Sequence, residues 1–422
     1  MYTQRRQKTI AIYTQKVYNH NIFTMLKEDN EKMKKKLALL LVLVMLFTMF
    51  AAGCGGNDDG GEKVVKSGVF EPATGDNGAG GKQETLGVQY ANSIQPTVEI
   101  GGETYTVKLE IVDNESSPEK GISAAQNLVT SGVSMILGTY GSGVAIAAGQ
   151  TFADAGIAAM GITCTNPQVT LGNDYYFRMC FLDPFQGTVL ANRAWETGAR
   201  KAYCLNKMGD DYSAGLVNYF SKAFEELGGK VVKEEFEQGN ADFAANIATA
   251  KKNGCDVFFS PVSTEAAALI IDQADAQKLG MPILAADTWD SNVILGAAKG
   301  TDLDIYVTTF YQEGGDAEFD EGVKAWIEGD STNLANNGGN SEIAAVTAMG
   351  YDAYFVALEA LKAAGSTDPA KVHEVLPGVT YDGVCGKVVF GENGDAVRDM
   401  AVVKKCNTAE GKWEFESNQY VK

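Results

Sequence analysis

Short apolar runs alternate with amphipathic stretches over most of the chain from about residue 63 onward. Strands are predicted at 64–70, 133–137, 157–160, 201–205, 230–236, 256–260 and 282–285. Helices are predicted between them at 82–93, 117–132, 143–156, 185–197, 213–227, 243–253 and 264–279. Such alternation is typical of parallel sheets with helices on both faces. The pattern therefore predicts an α/β fold.

An irregular segment at 163–184 separates two such runs and predicts two α/β lobes. In parallel sheets of this kind, ligands bind at the loops that follow the carboxyl ends of the strands. The loops in which we expect a site are 71–81, 138–143, 162–167, 206–212, 260–264 and 286–291.

The N-terminal segment has the composition of an export signal. Lys34, Lys35 and Lys36 precede an uncharged apolar run at 37–53, and Cys54 follows. We predict a signal peptide at 1–53, with Met33 as a candidate true start. The sequence Ala-Ala-Gly-Cys at 51–54 resembles the lipobox of bacterial lipoproteins, which implies lipidation of Cys54 and a flexible tether at 54–62. The alternative is an uncleaved membrane anchor.

Charge divides the chain in the same place. Residues 1–53 carry nine Lys/Arg and three Asp/Glu, whereas the remainder carries 26 and 51. The exported part is therefore strongly acidic. Because nucleic-acid binding needs clustered Lys and Arg to neutralise phosphates, we expect no nucleic-acid partner.

Several kinds of chemistry are missing from the sequence. The glycine-rich stretch at 75–82 lacks the spacing and the Ser/Thr of a phosphate loop, and 138–143 lacks the spacing of a dinucleotide site. Six cysteines follow Cys54 without a C-x-x-C pair, and His373 is the one histidine after residue 53. We therefore predict no cofactor, no metal site and no enzyme, although a hydrolase that uses only carboxylates stays open.

Five segments together resemble a known family. They are Asp113-Asn114, the loop at 138–143, Thr-Asn-Pro at 165–167, the segment 209–215, and Ala-Asp-Thr-Trp at 286–289. In this order they resemble the branched-chain amino-acid-binding (leucine/isoleucine/valine-type) lipoproteins of ABC importers, over about 63–405. The resemblance implies a type I periplasmic-binding-protein fold, in which two Rossmann-like lobes are joined by three hinge crossings.

The resemblance also makes each lobe discontinuous. Lobe 1 would contain 63–183 and 313–394, and lobe 2 would contain 184–312 and 395–422. The ligand would lie between the lobes, which close around it.

Burying an amino-acid zwitterion requires partners for both of its charges. Ser142 lies just before a predicted helix start, which favours a carboxylate, and it matches the family's carboxylate-binding serine. Thr165 matches a threonine at the same end of the ligand, and Thr163 matches a backbone carbonyl that accepts from the ammonium group. Asp287 matches the acid that binds the ammonium group, with Asp in place of Glu.

Further positions are expected to surround the ligand. By resemblance, Tyr212 lines the cleft from lobe 2, and Thr74 and Gly75 approach the ligand from the first loop. The aromatic residues in position to contact the ligand side chain are Tyr140, Trp289 and Phe310. Ser142 and Asp287 could instead serve only as helix caps, and Tyr212, Trp289 and Phe310 could be packing residues.

The resemblance implies a monomeric, extracytoplasmic binding protein, anchored by lipid to the outer face of the cell membrane. It would deliver an amino acid, of branched-chain type or related, to an ABC permease and its ATPase. A sensory or regulatory binding protein of the same fold, for an amide or another small polar ligand, is the alternative.

Overall fold

The computed structural model describes residues 62–420, which form two β-sheets covered by helices. The predicted signal peptide, Cys54 and most of the tether lie outside these residues. Within 62–420 no helix combines the length and the apolar character that a membrane span needs. The parallel sheets and their helical layers confirm the predicted α/β class.

The first sheet contains six strands from the N-terminal part of the described chain. They are β1 (Val64–Glu71), β2 (Thr97–Ile100), β3 (Glu103–Asp113), β4 (Met135–Leu137), β5 (Ala159–Gly161) and β6 (Tyr176–Arg178). Their order is β2-β3-β1-β4-β5-β6. All neighbours are parallel except β2 and β3. These two form a hairpin whose turn is at Gly101 and Gly102, both of which have positive φ.

The second sheet contains seven strands, and two of them come from the C-terminal end. They are β7 (Lys201–Lys207), β8 (Lys230–Phe236), β9 (Val257–Phe259), β10 (Ile283–Ala285), β11 (Ile305–Thr309), β14 (Met400–Asn407) and β15 (Lys412–Tyr420). Their order is β15-β14-β11-β10-β9-β7-β8, and β14 and β15 pair antiparallel. A separate hairpin consists of β12 (Thr380–Gly383) and β13 (Gly386–Val389).

Twelve α-helices occur within residues 62–420. They are α1 (Gly78–Ile94), α2 (Pro118–Thr130), α3 (Ser142–Ala155), α4 (Asp183–Glu196), α5 (Asp211–Glu226), α6 (Ala244–Lys252), α7 (Thr264–Ala276), α8 (Asn292–Ala298), α9 (Ala317–Glu328), α10 (Ser331–Asn336), α11 (Ala345–Ala364) and α12 (Pro369–Val375). Ser117 caps α2, because its side chain accepts from Lys120 N, and Pro118 is the first helical residue.

Three segments of the chain cross between the sheets. The first leads from β6 to α4, and the second leads from β11 to α9, whose buried face belongs to the same apolar core as the first sheet. The third leads from β13 to β14, at the edge of the second sheet. Two lobes joined by three crossings are therefore confirmed. The residue boundaries predicted for the lobes remain a proposal, which this sheet membership supports.

The start of α1 differs from the prediction. The glycine-rich stretch was expected to be a loop before a helix at 82, whereas the helix begins at Gly78. The glycines let neighbouring loops pack closely against the helix: a Cβ on Gly80 would overlap the ring of Tyr140, and one on Gly81 would overlap Pro72. Close packing against the loops after β1 and β4 thus accounts for Gly80 and Gly81, whereas Gly75 has positive φ in the loop before the helix.

Candidate functional site

A cavity of about 320 Å³ lies between the two lobes. One wall comes from the loops after β1, β3, β4 and β5, and the other comes from the loops after β7, β8, β9 and β10. Both walls are therefore formed at the carboxyl ends of parallel strands, as the topology predicts. Of the predicted site residues, five line this cavity together: Tyr140, Ser142, Thr163, Tyr212 and Asp287.

The start of α3 forms the wall from lobe 1. The first backbone N–H groups of a helix have no intrahelical acceptor. Gly141, the N-cap, has no side chain that could accept from them. Ser142 and Gly143 line the cavity at this point. Free N–H groups and the positive end of the helix dipole favour a bound carboxylate. The wall from lobe 1 is therefore suited to an anionic group.

A buried acid faces the cavity from lobe 2. Asp287 is 2% exposed and follows β10. Its Oδ1 accepts hydrogen bonds from Tyr212 Oη and Gln186 Nε2, both at 2.8 Å. Among the described residues both side-chain donors act on Oδ1, which leaves Oδ2 for a ligand. Tyr212 and Gln186 thus hold the carboxylate in one orientation.

Burial raises the pKa of Asp287 to about 6, against the opposing effect of the Gln186 and Tyr212 hydrogen bonds. The group is therefore ionised at neutral pH, at an electrostatic cost that a cation beside it would relieve. The arrangement is suited to a ligand ammonium group, and it lies across the cavity from the helix start that favours a carboxylate.

Hydrogen bonds and one ion pair join the lobes across the cavity. Lys207 Nζ of lobe 2 lies 2.7 Å from Asp76 Oδ2 of lobe 1, and Gln238 Nε2 lies 3.0 Å from the same oxygen. Tyr140 Oη donates to the Thr288 carbonyl at 3.3 Å. The structure therefore shows the cleft in a closed arrangement, in which the loop after β1 contacts lobe 2.

The other predicted contact residues lie outside the cavity lining. Trp289 is fully buried in the core of lobe 2, where Nε1 donates to the Val262 carbonyl. Phe310 packs against Phe181, with ring centroids 4.3 Å apart, at a separate cavity beside the crossings. Thr165 is fully buried below the start of α4, where its carbonyl accepts from Asp183 N.

Thr74 and Gly75 lie in the loop that carries Asp76, although neither lines the cavity. Thr74 Oγ1 donates to Asp113 Oδ2 at 2.7 Å, and Asp113 Oδ1 accepts from Ala73 N at 2.8 Å. These bonds fix the loop that reaches across the cleft. The two residues therefore shape the path of the chain beside the cavity.

Several residues of the site were not predicted. Asp76, Lys207 and Gln238 belong to predicted loops or strand ends, but their pairing depends on how the lobes meet. Gln186 supports Asp287 from α4. The signal for Gln186 was a polar residue on the buried face of an amphipathic helix, because such a side chain needs an internal partner.

The chain matches known proteins over most of its length. The periplasmic binding protein family matches residues 64–410. A Leu/Ile/Val-binding protein homolog of Brucella abortus is 31% identical over 358 residues, which cover 83% of this chain and 93% of that protein. An amino acid binding protein of Pseudomonas aeruginosa is 28% identical over 78% of this chain and 87% of its own length.

The fold is shared with solved structures. A leucine binding protein of Thermotoga maritima superposes with a TM-score of 0.74 at 30% identity, covering 85% of this chain and 99% of that one. A benzoate complex of a solute binding protein from R. palustris has a TM-score of 0.71 at 19% identity, over 84% and 96% of the two chains, and shows the fold alone. These relatives are binding proteins and not enzymes. The chain belongs to the periplasmic binding protein family, in the group of the leucine/isoleucine/valine-binding proteins.

Proposed function

We propose that this protein is an extracytoplasmic substrate-binding lipoprotein of an ABC importer, which captures an α-amino acid in the cleft and delivers it to the permease. The observation that carries the proposal is the pairing of the α3 N-terminus, at Ser142, with the buried carboxylate of Asp287 on the facing lobe. A zwitterion supplies one charge for each wall. The ligand is expected to be of branched-chain type or related, because relatives are described as leucine- or Leu/Ile/Val-binding.

Closure of the lobes would follow from the same contacts. A ligand that touches both walls binds the closed form more tightly than the open form, and it shifts the population toward closure. The Asp76–Lys207 ion pair and the Gln238 hydrogen bond join the two lobes, and they therefore stabilise only the closed form. Delivery would require the reverse movement at the permease.

A thermal-shift screen tests the binding function. We expect at least one of the twenty common L-amino acids to raise the melting temperature of the protein by mass action. Carboxylates that lack an ammonium group, such as benzoate, are the matched controls, and we expect no rise with them because Asp287 would face an unpaired anion. Stabilisation by benzoate and by no amino acid would contradict the proposal.

Ligand affinity should depend on pH through Asp287. Because burial raises the pKa of this group to about 6, its carboxylate gains a proton as the pH falls below that value. A protonated Asp287 cannot pair with an ammonium group. We expect affinity to fall by up to about tenfold per pH unit as the pH drops below 6. Titration calorimetry across this range measures it, and an Asp287→Asn variant should show a flat profile in the same window.

The lipid anchor is a separate part of the proposal. Cys54 follows a small-residue segment and precedes a glycine-rich stretch. We expect mass spectrometry of membrane-extracted protein to find an acylated Cys54 at the N-terminus, and Cys54→Ser to release the protein from the membrane fraction or leave it unprocessed. Mature protein that retains residues 1–53 would contradict the proposed processing.

A further inference from the structure

Two buried carboxyl groups lie directly behind the cavity wall of lobe 1. Glu71 ends β1 and is 2% exposed, and Glu84 lies on α1 and is fully buried. Neither lines the cavity. Burial of two acids costs free energy, so their surroundings must compensate for it.

Each carboxyl group holds one element of the cavity wall. Glu71 Oε2 accepts a hydrogen bond from Tyr140 N at 2.8 Å, and Glu84 Oε2 accepts one from Thr163 Oγ1. Tyr140 and Thr163 both line the cavity. The pair therefore contacts the wall at two points, one in the loop after β4 and one in the loop after β5.

The second oxygen of each carboxyl group has no hydrogen-bond donor among the described residues. Glu71 Oε1 and Glu84 Oε1 are buried, and no other described residue donates to them. The two groups lie close enough to interact electrostatically, and a hydrogen bond between their Oε1 atoms would give both a partner. Since a carboxylate has no proton to donate, this bond requires that one of the two groups be protonated.

The electrostatic surroundings also favour protonation of one of the two carboxyl groups. The titratable groups that face the pair are Tyr140, Tyr176, Cys164 and Asp287, which are neutral or acidic. Arg178 lies beyond Cys164, and its side chain pairs with Asp395. Among the described residues no cation forms an ion pair with either glutamate. Burial raises the pKa of Glu71 well above its usual range and that of Glu84 to about 7, so that both groups do not ionise together.

We propose that Glu71 and Glu84 share one proton and act as positioning residues for ligand binding, holding the Tyr140 backbone and the Thr163 side chain against the cleft. By fixing the Thr163 side chain, the pair also orients the Thr163 backbone carbonyl, the group expected to accept from the ligand ammonium. The ligand-binding part of this inference rests on the proposed function. The shared proton does not.

Glutamine variants separate hydrogen bonding from titration. In Glu84→Gln the amide oxygen can accept from Thr163 while the amide nitrogen donates to an ionised Glu71, so the geometry and the single charge are kept. Glu84→Leu removes both bonds. We expect Glu84→Gln to retain the melting-temperature rise produced by a mixture of the twenty common L-amino acids at pH 7, and Glu84→Leu to lose most of it. Equal behaviour of the two variants would overturn the positioning role.

The pH dependence of the apo melting temperature tests the shared proton. A group whose pKa is raised by folding contributes stability that is lost as the pH rises through the folded-state value. The wild type should therefore lose stability as the pH rises from about 4.5, the ordinary pKa of a glutamate, to about 7, the folded-state pKa of Glu84. A further loss is expected at higher pH as Glu71 ionises, because burial raises its pKa well above the usual range. Glu84→Gln should lose less, because its amide does not titrate. Coincident profiles of the two proteins would overturn the proposal.

Infrared difference spectra give a readout that does not depend on ligand. At neutral pH the wild type should show a carbonyl band of a protonated carboxyl group that is absent from Glu71→Gln/Glu84→Gln. Asp183, whose pKa burial raises to about 8, contributes equally to both spectra and cancels. An unchanged band would overturn the shared proton. If the amino-acid mixture stabilises no variant, the proposed function fails, and the spectra and pH profiles still decide whether the pair holds a proton.

Discussion

Replacement of Asp287 by alanine is expected to abolish ligand binding while the apo protein keeps its fold. The carboxylate is the acid that we propose for the ligand ammonium group, and it is buried and oriented by Tyr212 and Gln186. Removing one partner of a buried, hydrogen-bonded charge pair costs about 2–5 kcal/mol, which is roughly a 30-fold loss of affinity or more. Calorimetry with the amino acid that gives the largest thermal shift measures the loss.

The matched control for this variant is Asp211→Asn. Asp211 also lines the cavity, but it lies on the α5 start at the rim and is not fully buried. We expect the affinity of Asp211→Asn for the amino acid to stay within about threefold of the wild-type value, because exposed charges are screened by solvent. The apo melting temperature of Asp287→Ala should change little, since ionised Asp287 is itself costly to bury. An affinity within threefold of wild type for Asp287→Ala would remove this residue from the site.

Arg178→Met is expected to cause the largest loss of stability. Arg178 is 0% exposed, and its Nε and Nη2 donate to Asp395 Oδ1 at 2.8 and 2.5 Å. Its Nη1 donates to the backbone carbonyls of Cys164 and Asn166. The side chain thus joins β6 to the third crossing and to the loop after β5. Breaking a buried pair by removing one partner costs about 3–5 kcal/mol, because the other charge stays buried.

Chemical denaturation of the purified protein measures this effect. Lys362→Met serves as the control, because Lys362 pairs with Glu359 on the exposed face of α11 at 2.7 Å. We expect that exposed pair to contribute less than about 1 kcal/mol to the free energy of unfolding. Equal losses for the two variants would show that Arg178 does not stabilise the crossing.

The fold was predictable because its determinants are local. Alternation of strands and helices, the cap at Ser117 and the glycines at the β2–β3 turn are signals within a few residues. The position of the site was predictable for a related reason. Since parallel strands end at one edge, Tyr140 and Thr163 had to lie at the same edge of the first sheet. That Asp287 of the second sheet would face them was implied only by the family resemblance, which placed the ligand between the lobes.

The composition of the site was less accessible to sequence reasoning. Trp289 and Phe310 were expected near the ligand side chain by resemblance, yet Trp289 packs in the core and Phe310 packs against Phe181 beside the crossings. The Asp76–Lys207 pair depends on the angle at which the lobes close, which no local pattern encodes. The carboxyl pair of Glu71 and Glu84 depends on the packing of α1 against β1. A polar residue within the glycine-rich buried face of α1 was the one signal that could have indicated it.

The most direct test of amino-acid capture compares a ligand with its blocked form. Isothermal titration calorimetry should be performed with the amino acid that gives the largest thermal shift and with its N-acetyl derivative, which keeps the carboxylate and the side chain but has no charged ammonium group. We predict that acetylation lowers affinity at least about 30-fold in the wild type, because Asp287 is left without its partner. Equal affinity for the free and the acetylated amino acid would contradict the account.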